Sequence, residues 1–270
     1  MLETIKTPCL IDSHCHLNRV DLSAFNQDMQ QVLTVARDAG VAQFLCVCVE
    51  PEDIPILQNL AETYPNIYTS VGVHPNTELP TELSASELVD FSNHPSCIAI
   101  GETGVDYFRV EDKSAQANQQ NRFRAHIEAA ITSSKPLIIH TRAAAEDTLS
   151  IMKEMGADEI GGVMHCFAED WDIARQALDL NFYISFSGIV TFKNAKTLHE
   201  VAQKVPADRF LIETDSPYLA PDPFRGKPNH PALVHYVAKR LAVLRDTDYE
   251  TIATQSTENF YRCFRLPKLK

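Results

Sequence analysis

No apolar run in the chain approaches the roughly 20 residues that a membrane-spanning helix needs. No leader is expected either, because "MLETIKTPCLIDSH" passes straight into an apolar run and leaves no room for a signal peptide; a cytoplasmic protein is the expectation. Basic charge is scarce. With 24 Lys+Arg against 36 Asp+Glu the formal net charge is −12. That disfavours a protein that coats or slides along duplex DNA, and any grip on a polyanion must be local. Cys-x-x-Cys pairs are missing, and among the seven cysteines Cys46-x-Cys48 has the wrong gap for a zinc knuckle or redox pair. A buried pair in a strand fits it better, while Cys15 and Cys166 stand beside candidate ligands. Glycine is absent from "DSHCHL", the turn where a dinucleotide-binding sheet would carry its Gly-rich loop. No Gly/Ser/Pro linker or low-complexity stretch divides the 270 residues, so one domain spanning 1–270 is expected.

What the chain does have is alternation. Strand-like apolar runs fall at about 8–14, 42–49, 67–74, 96–102, 136–141, 160–166, 182–187 and 209–214, with helical patterns between them. Leu22, Phe25, Met29, Val32 and Ala36 repeat at helical spacing up to Gly40, and residues 115–134 carry Phe123, Ile127, Ala130 and Ile131 on one side before Pro136. Ser84-x-x-Glu87 and Thr247-x-x-Glu250 read as capping boxes. Near-continuous apolar strands separated by helices indicate a parallel sheet covered on its outer face. The expected fold class is α/β, a single (β/α)8 TIM barrel, whose strand C-termini meet at one mouth.

Six metal-grade side chains sit where these runs stop: His14 and His16, Glu102, His140, His165 and Asp215. Alone, His14-x-His16 reads equally well as two ordinary polar residues at a strand end; with the other strand-end ligands it reads as a metal pair, since i and i+2 share a face of a strand. Glu102 lies between Gly101 and Gly104, which would let backbone approach a bound group, and one carboxylate can bridge two ions. Its other reading is a helix cap or loop acid. His140 and His165, one βα unit apart, suit a second ion, although a single strand-end His is commonly a hydrogen-bonded core residue. Asp215 can ligate the first ion and take a proton from the attacking water, or cap the segment after it. Glu213, two residues earlier, faces the same side and needs a partner there: a metal, a His or an Arg. His74 can orient water or a substrate phosphate. Arg142, Arg225 and Lys227 are candidate phosphate contacts or solvated surface charge. Imidazole-rich sites suit Zn, Mn or Ni, and carboxylate oxygens suit Mg.

"DSHCH", "VGVHP", "GETGVDY", "IHTR", "HCF", "ETDSPYL" and "RGKPN", in this order from Asp12 to Asn229, resemble the TatD family of metal-dependent deoxyribonucleases among the amidohydrolase-like barrels. The resemblance implies His14, His16, Glu102 and Asp215 around one divalent ion and Glu102, His140 and His165 around another. It further implies a third ion of variable occupancy involving His74 and Glu213. Related barrels often bridge their metals with a carboxylated lysine, where this chain has Glu102; the loop departs from the family's usual Glu at His230. The implied activity is metal-dependent 3′→5′ exonucleolytic cleavage of DNA with single-stranded or frayed 3′ ends. The alternatives are an ester or amide hydrolase, such as a D-aminoacyl-tRNA deacylase acting on tRNA, and a non-catalytic metal scaffold. No membrane partner is expected, and a monomer is.

Overall fold

The strands are built from the apolar runs. A computed structural model of the chain describes residues 9–267. The strands are β1 (Leu10–Cys15), β2 (Val41–Cys46), β3 (Ile67–Val71), β4 (Cys97–Asp106), β5 (Leu137–Arg142), β6 (Gly162–Met164), β7 (Phe182–Phe186) and β8 (Phe210–Ile212). Nine α-helices among the described residues follow or separate them: α1 (Met29–Asp38), α2 (Asp53–Thr63), α3 (Ala85–Ser92), α4 (Lys113–Ser133), α5 (Ala145–Glu154), α6 (Trp171–Asp179), α7 (Lys196–Lys204), α8 (Val234–Leu244) and α9 (Tyr249–Cys263). The first expected run began at residue 8, which, like the first eight residues of the segment read for a leader, lies outside the described residues. Among the described residues no helix is long and apolar enough to cross a membrane.

Two compact units organise these elements, each assembled from separate stretches of sequence. The first comprises Met1–Cys46, Cys166–Trp171 and Ser185–Lys270; the second comprises Val47–His165 and Asp172–Ile184. In the first, β1 pairs in parallel with β2, and α9 packs against β1 and β8. In the second, β3, β4, β5, β6 and β7 pair in parallel, each with the next in chain order. Nearly every strand residue is buried, which is why these runs read as apolar throughout rather than alternating. Seven reduced cysteines are present and six are buried; Cys46 and Cys48 are ordinary interior residues.

Three local expectations are corrected. The repeat from Leu22 to Ala36 is not one helix: a 3₁₀ turn over Leu22–Phe25 ends at Asn26 and Gln27, both left-handed (φ 53° and 60°), and α1 starts afresh at Met29. The cause is two caps. Asp21 accepts from the Ser23 N–H and Asp28 from the Gln30 N–H, so the chain begins twice. At α9 the cap is Asp248, which accepts from the Thr251 N–H at 2.6 Å, not Thr247. Ser84 and Glu87, by contrast, form the full reciprocal box at α3. The third correction concerns Glu102, which does not end its strand; β4 runs four residues further, to Asp106.

Candidate functional site

The first unit holds one group of ligand-grade side chains. His14 lies one residue before the end of β1 and His16 one residue beyond it, and their Nε2 atoms are 3.2 Å apart. Asp215, three residues past β8, places Oδ1 3.8 Å from His14 Nε2 and 3.5 Å from His16 Nε2. Two donors that share a tetrahedral ion at about 2.05 Å stand roughly 3.3 Å apart, so this donor set fits a divalent ion. Backbone holds it in register: the Asp215 N–H donates to the His14 carbonyl at 2.9 Å, and the His16 N–H to the Ser216 carbonyl at 2.8 Å. Behind the group, buried Asp12 accepts from the Thr214 N–H (2.9 Å) and the Thr214 hydroxyl (2.5 Å). Burial is the dominant influence on the Asp12 carboxyl and pushes its pKa up to about 8 against those hydrogen bonds.

The second unit gathers four. Glu102 Oε1 sits 2.9 Å from His140 Nδ1, 2.9 Å from His165 Nε2 and 3.6 Å from His74 Nε2. One buried carboxylate oxygen ringed by three imidazole nitrogens is again metal-ligand chemistry, and the donor atoms of His74, Glu102 and His140 all lie within 4.8 Å of one another. The other ring nitrogens show what each imidazole can do. His140 Nε2 faces Asp106 Oδ2 at 3.3 Å, so a proton held there leaves the Nδ1 lone pair for an ion. Burial opposes charge on His140, but hydrogen bonds to Asp106 and Glu102 outweigh it and raise its pKa. His74 is the reverse case. Its Nδ1 accepts the Asn76 N–H at 3.1 Å, so the neutral ring carries its proton on Nε2 and acts there as a donor. Burial keeps that ring neutral, lowering its pKa to about 4.

Glycines around Glu102 bring β4 close to β5, the strand that carries His140. A Cβ on Gly101 would meet the Ile138 carbonyl at 2.6 Å, and one on Gly104 the His140 carbonyl at 2.0 Å. Glu213 accepts from the Cys166 N–H at 2.7 Å and the Ser185 hydroxyl at 2.5 Å. Arg142 ends β5 exposed, its guanidinium carbon 3.7 Å from the Phe108 ring centroid. Arg225 lies over Phe192 at 4.3 Å and Lys227 near Phe224 at 5.7 Å, both exposed. His230 packs edge-on against Phe25, 5.3 Å between centroids. Asn229 of "RGKPN" is a clamp: its side-chain amide donates to the Thr214 carbonyl at 2.9 Å and to the Tyr218 carbonyl.

Several contributors escaped the sequence reading. Asp106 accepts from Asn76 Nδ2 (2.8 Å) and the Phe108 N–H (2.9 Å) besides facing His140, and Gln119 ties its backbone to Asn76. His126, on α4, accepts the Val73 N–H at 3.0 Å and donates to the Arg122 carbonyl at 2.8 Å, supporting the backbone just before His74. Asp12 and Asp106 both stand inside the quoted motifs, so the signal was present; what it lacked was a partner visible in sequence.

The chain matches the model of the family described as TatD related DNase over residues 11–265. It is 43% identical over 258 residues to the uncharacterized metal-dependent hydrolase YcfH of Escherichia coli (strain K12), covering 95% of this chain and 96% of that one. It is 32% identical over 250 residues to a protein of Pantoea vagans named 3'-5' ssDNA/RNA exonuclease TatD, covering 90% and 95%. Among solved structures, the E. coli K12 TatD homologue YJJV superposes with a TM-score of 0.86 at 26% identity, over 96% of this chain and all of that one. The expected α/β class, with parallel strands alternating with helices in the (β/α)8 manner, is the fold this likeness shows.

Proposed function

Because the chain belongs to the TatD family and is a metal-dependent hydrolase, we propose that it cleaves phosphodiester bonds, removing nucleotides 3′→5′ from single-stranded or frayed DNA or RNA ends. The observation that carries this reading is the pair of ligand groups, His14/His16/Asp215 and Glu102/His140/His165, in a chain related along nearly its whole length to a named single-strand exonuclease. In this reading His14, His16 and Asp215 would hold one divalent ion and Glu102, His140 and His165 another, with Zn, Mn, Mg or Ni as candidates. Such ions supply Lewis acidity: they neutralise charge on phosphate oxygens and acidify water.

The chain's own residues do the rest. Asp215, whose carboxylate is held beside His14 and His16, accepts the proton of the attacking water. Asp106 fixes His140 in the tautomer whose Nδ1 is a ligand. In the tautomer that the Asn76 N–H favours, His74 Nε2–H donates to a non-bridging phosphate oxygen. Arg225 and Lys227, carried on the loop that Asn229 clamps, reach a neighbouring phosphate. Residues 1–270 act as one hydrolase domain.

An end-labelled single-stranded oligonucleotide tests the reading. Stepwise shortening from the 3′ end, abolished by EDTA and by a blocked 3′ terminus, is expected. An intact oligonucleotide alongside metal-dependent release of the amino acid from mischarged aminoacyl-tRNA would overturn it in favour of ester hydrolysis.

A further inference from the structure

In a chain so rich in carboxylates several cations lie in ion pairs: Arg122 with Glu82, Arg124 with Glu154. Among the exposed guanidiniums, those of Arg109, Arg142 and Arg225 do not. Among the described residues the side chains of Arg109 and Arg142 make no ion pair and no hydrogen bond; each instead lies against the Phe108 ring, 5.1 Å and 3.7 Å from its centroid. Phe108 is itself 42% exposed, an uncommon place for a large apolar ring. The three are tied to the second ligand group by backbone. Arg142 follows His140 by two on β5 and shares its face of the strand. The Tyr107 N–H donates to the Arg142 carbonyl at 2.9 Å, and the Phe108 N–H to Asp106, the partner of His140. Arg109 is left-handed (φ 73°), a conformation that non-glycine residues adopt rarely.

We propose that Arg109 and Arg142, preset against the Phe108 ring, form a subsite for the sugar–phosphate backbone of a single strand, gripping a phosphate other than the one being cleaved. It rests on the phosphodiesterase reading above and extends it to a requirement for substrates of more than one phosphate. A guanidinium stacked on an aromatic ring keeps its N–H edge free, which is the edge that pairs with two phosphate oxygens. Two such guanidiniums about one ring concentrate positive charge locally on a chain whose net charge repels polyanions at long range.

The test compares octathymidylate with bis(p-nitrophenyl) phosphate, a diester with no second phosphate. In Arg109→Ala/Arg142→Ala the ratio of kcat/KM for octathymidylate to that for the small diester is expected to fall at least ten-fold, mainly through KM. The salt dependence of the octathymidylate KM should flatten by about 0.7 in log–log slope for each phosphate no longer gripped. Phe108→Ala should lower the same ratio by a smaller factor, and Arg124→Ala, a paired surface residue, should leave both activities unchanged. An unaltered ratio and slope in a double variant of normal thermal stability overturns the subsite while leaving the phosphodiesterase reading standing. A wild-type protein that turns over neither substrate overturns both.

Discussion

The two ligand groups reach the same chemistry by different routes. His14 and His16 come from one strand end, two residues apart, and Asp215 joins them through a backbone bond to His14 itself. Glu102, His140 and His165 come one each from β4, β5 and the residue after β6, with a carboxylate at the centre and imidazoles around it. The first group is a local motif supported by one deep acid, Asp12, which fastens Thr214 and accepts the His14 backbone N–H. The second depends on strand spacing, and its supporting acid, Asp106, touches a ligand directly. A short motif tolerates shifts between strands; a group made of single residues does not.

The sharpest way to break this comparison is at Glu102. On the reading proposed above, Glu102→Ala should lower oligonucleotide cleavage by about 10³-fold or more and remove the second group's ion, whereas His16→Ala should remove the first group's; elemental analysis of the purified variants reads the difference. Next comes Gly104→Ala. Its methyl would meet the His140 carbonyl at 2.0 Å, so unfolding should become easier by about 3 kcal/mol and the second group's ion should bind more weakly, seen in denaturant melts and metal titration. Asp106→Asn removes the acid that selects the His140 tautomer and should weaken one ion by roughly 10–100-fold; Asp12→Asn should act through stability first, and isothermal titration separates the two.

The smallest effect is on pH. Burial holds His126 neutral, lowering its pKa to about 4, while an unfolded chain returns it to 6.5. Below pH 6.5 the unfolded state therefore binds the extra proton, and stability falls as pH drops from 6.5 towards 4, by up to about 3 kcal/mol. His126→Gln should flatten that limb in melts recorded across this range.

How much of this was legible in sequence follows the same contrast. Strand positions were clear because fully buried parallel strands read as unbroken apolar runs, and His14-x-His16 because its spacing is that of one strand face. The far end of β4 was not: Glu102 and Gly104 look like a stop, yet the strand continues because its glycines let β5 come close. The start of α1 misled for the opposite reason, a regular apolar spacing cut by two aspartate caps. Asp106 and His126 act through partners far away along the chain, and single residues announce no such pairing.

The Asn229 amide binds the carbonyls of Thr214 and Tyr218, on either side of Asp215. The cationic loop and Asp215, the proton acceptor proposed above, are thereby fastened to one post. On that proposal, a pull on Arg225 or Lys227 reaches Asp215 through the Asn229 amide, coupling the arrival of a charged strand to the placement of the base.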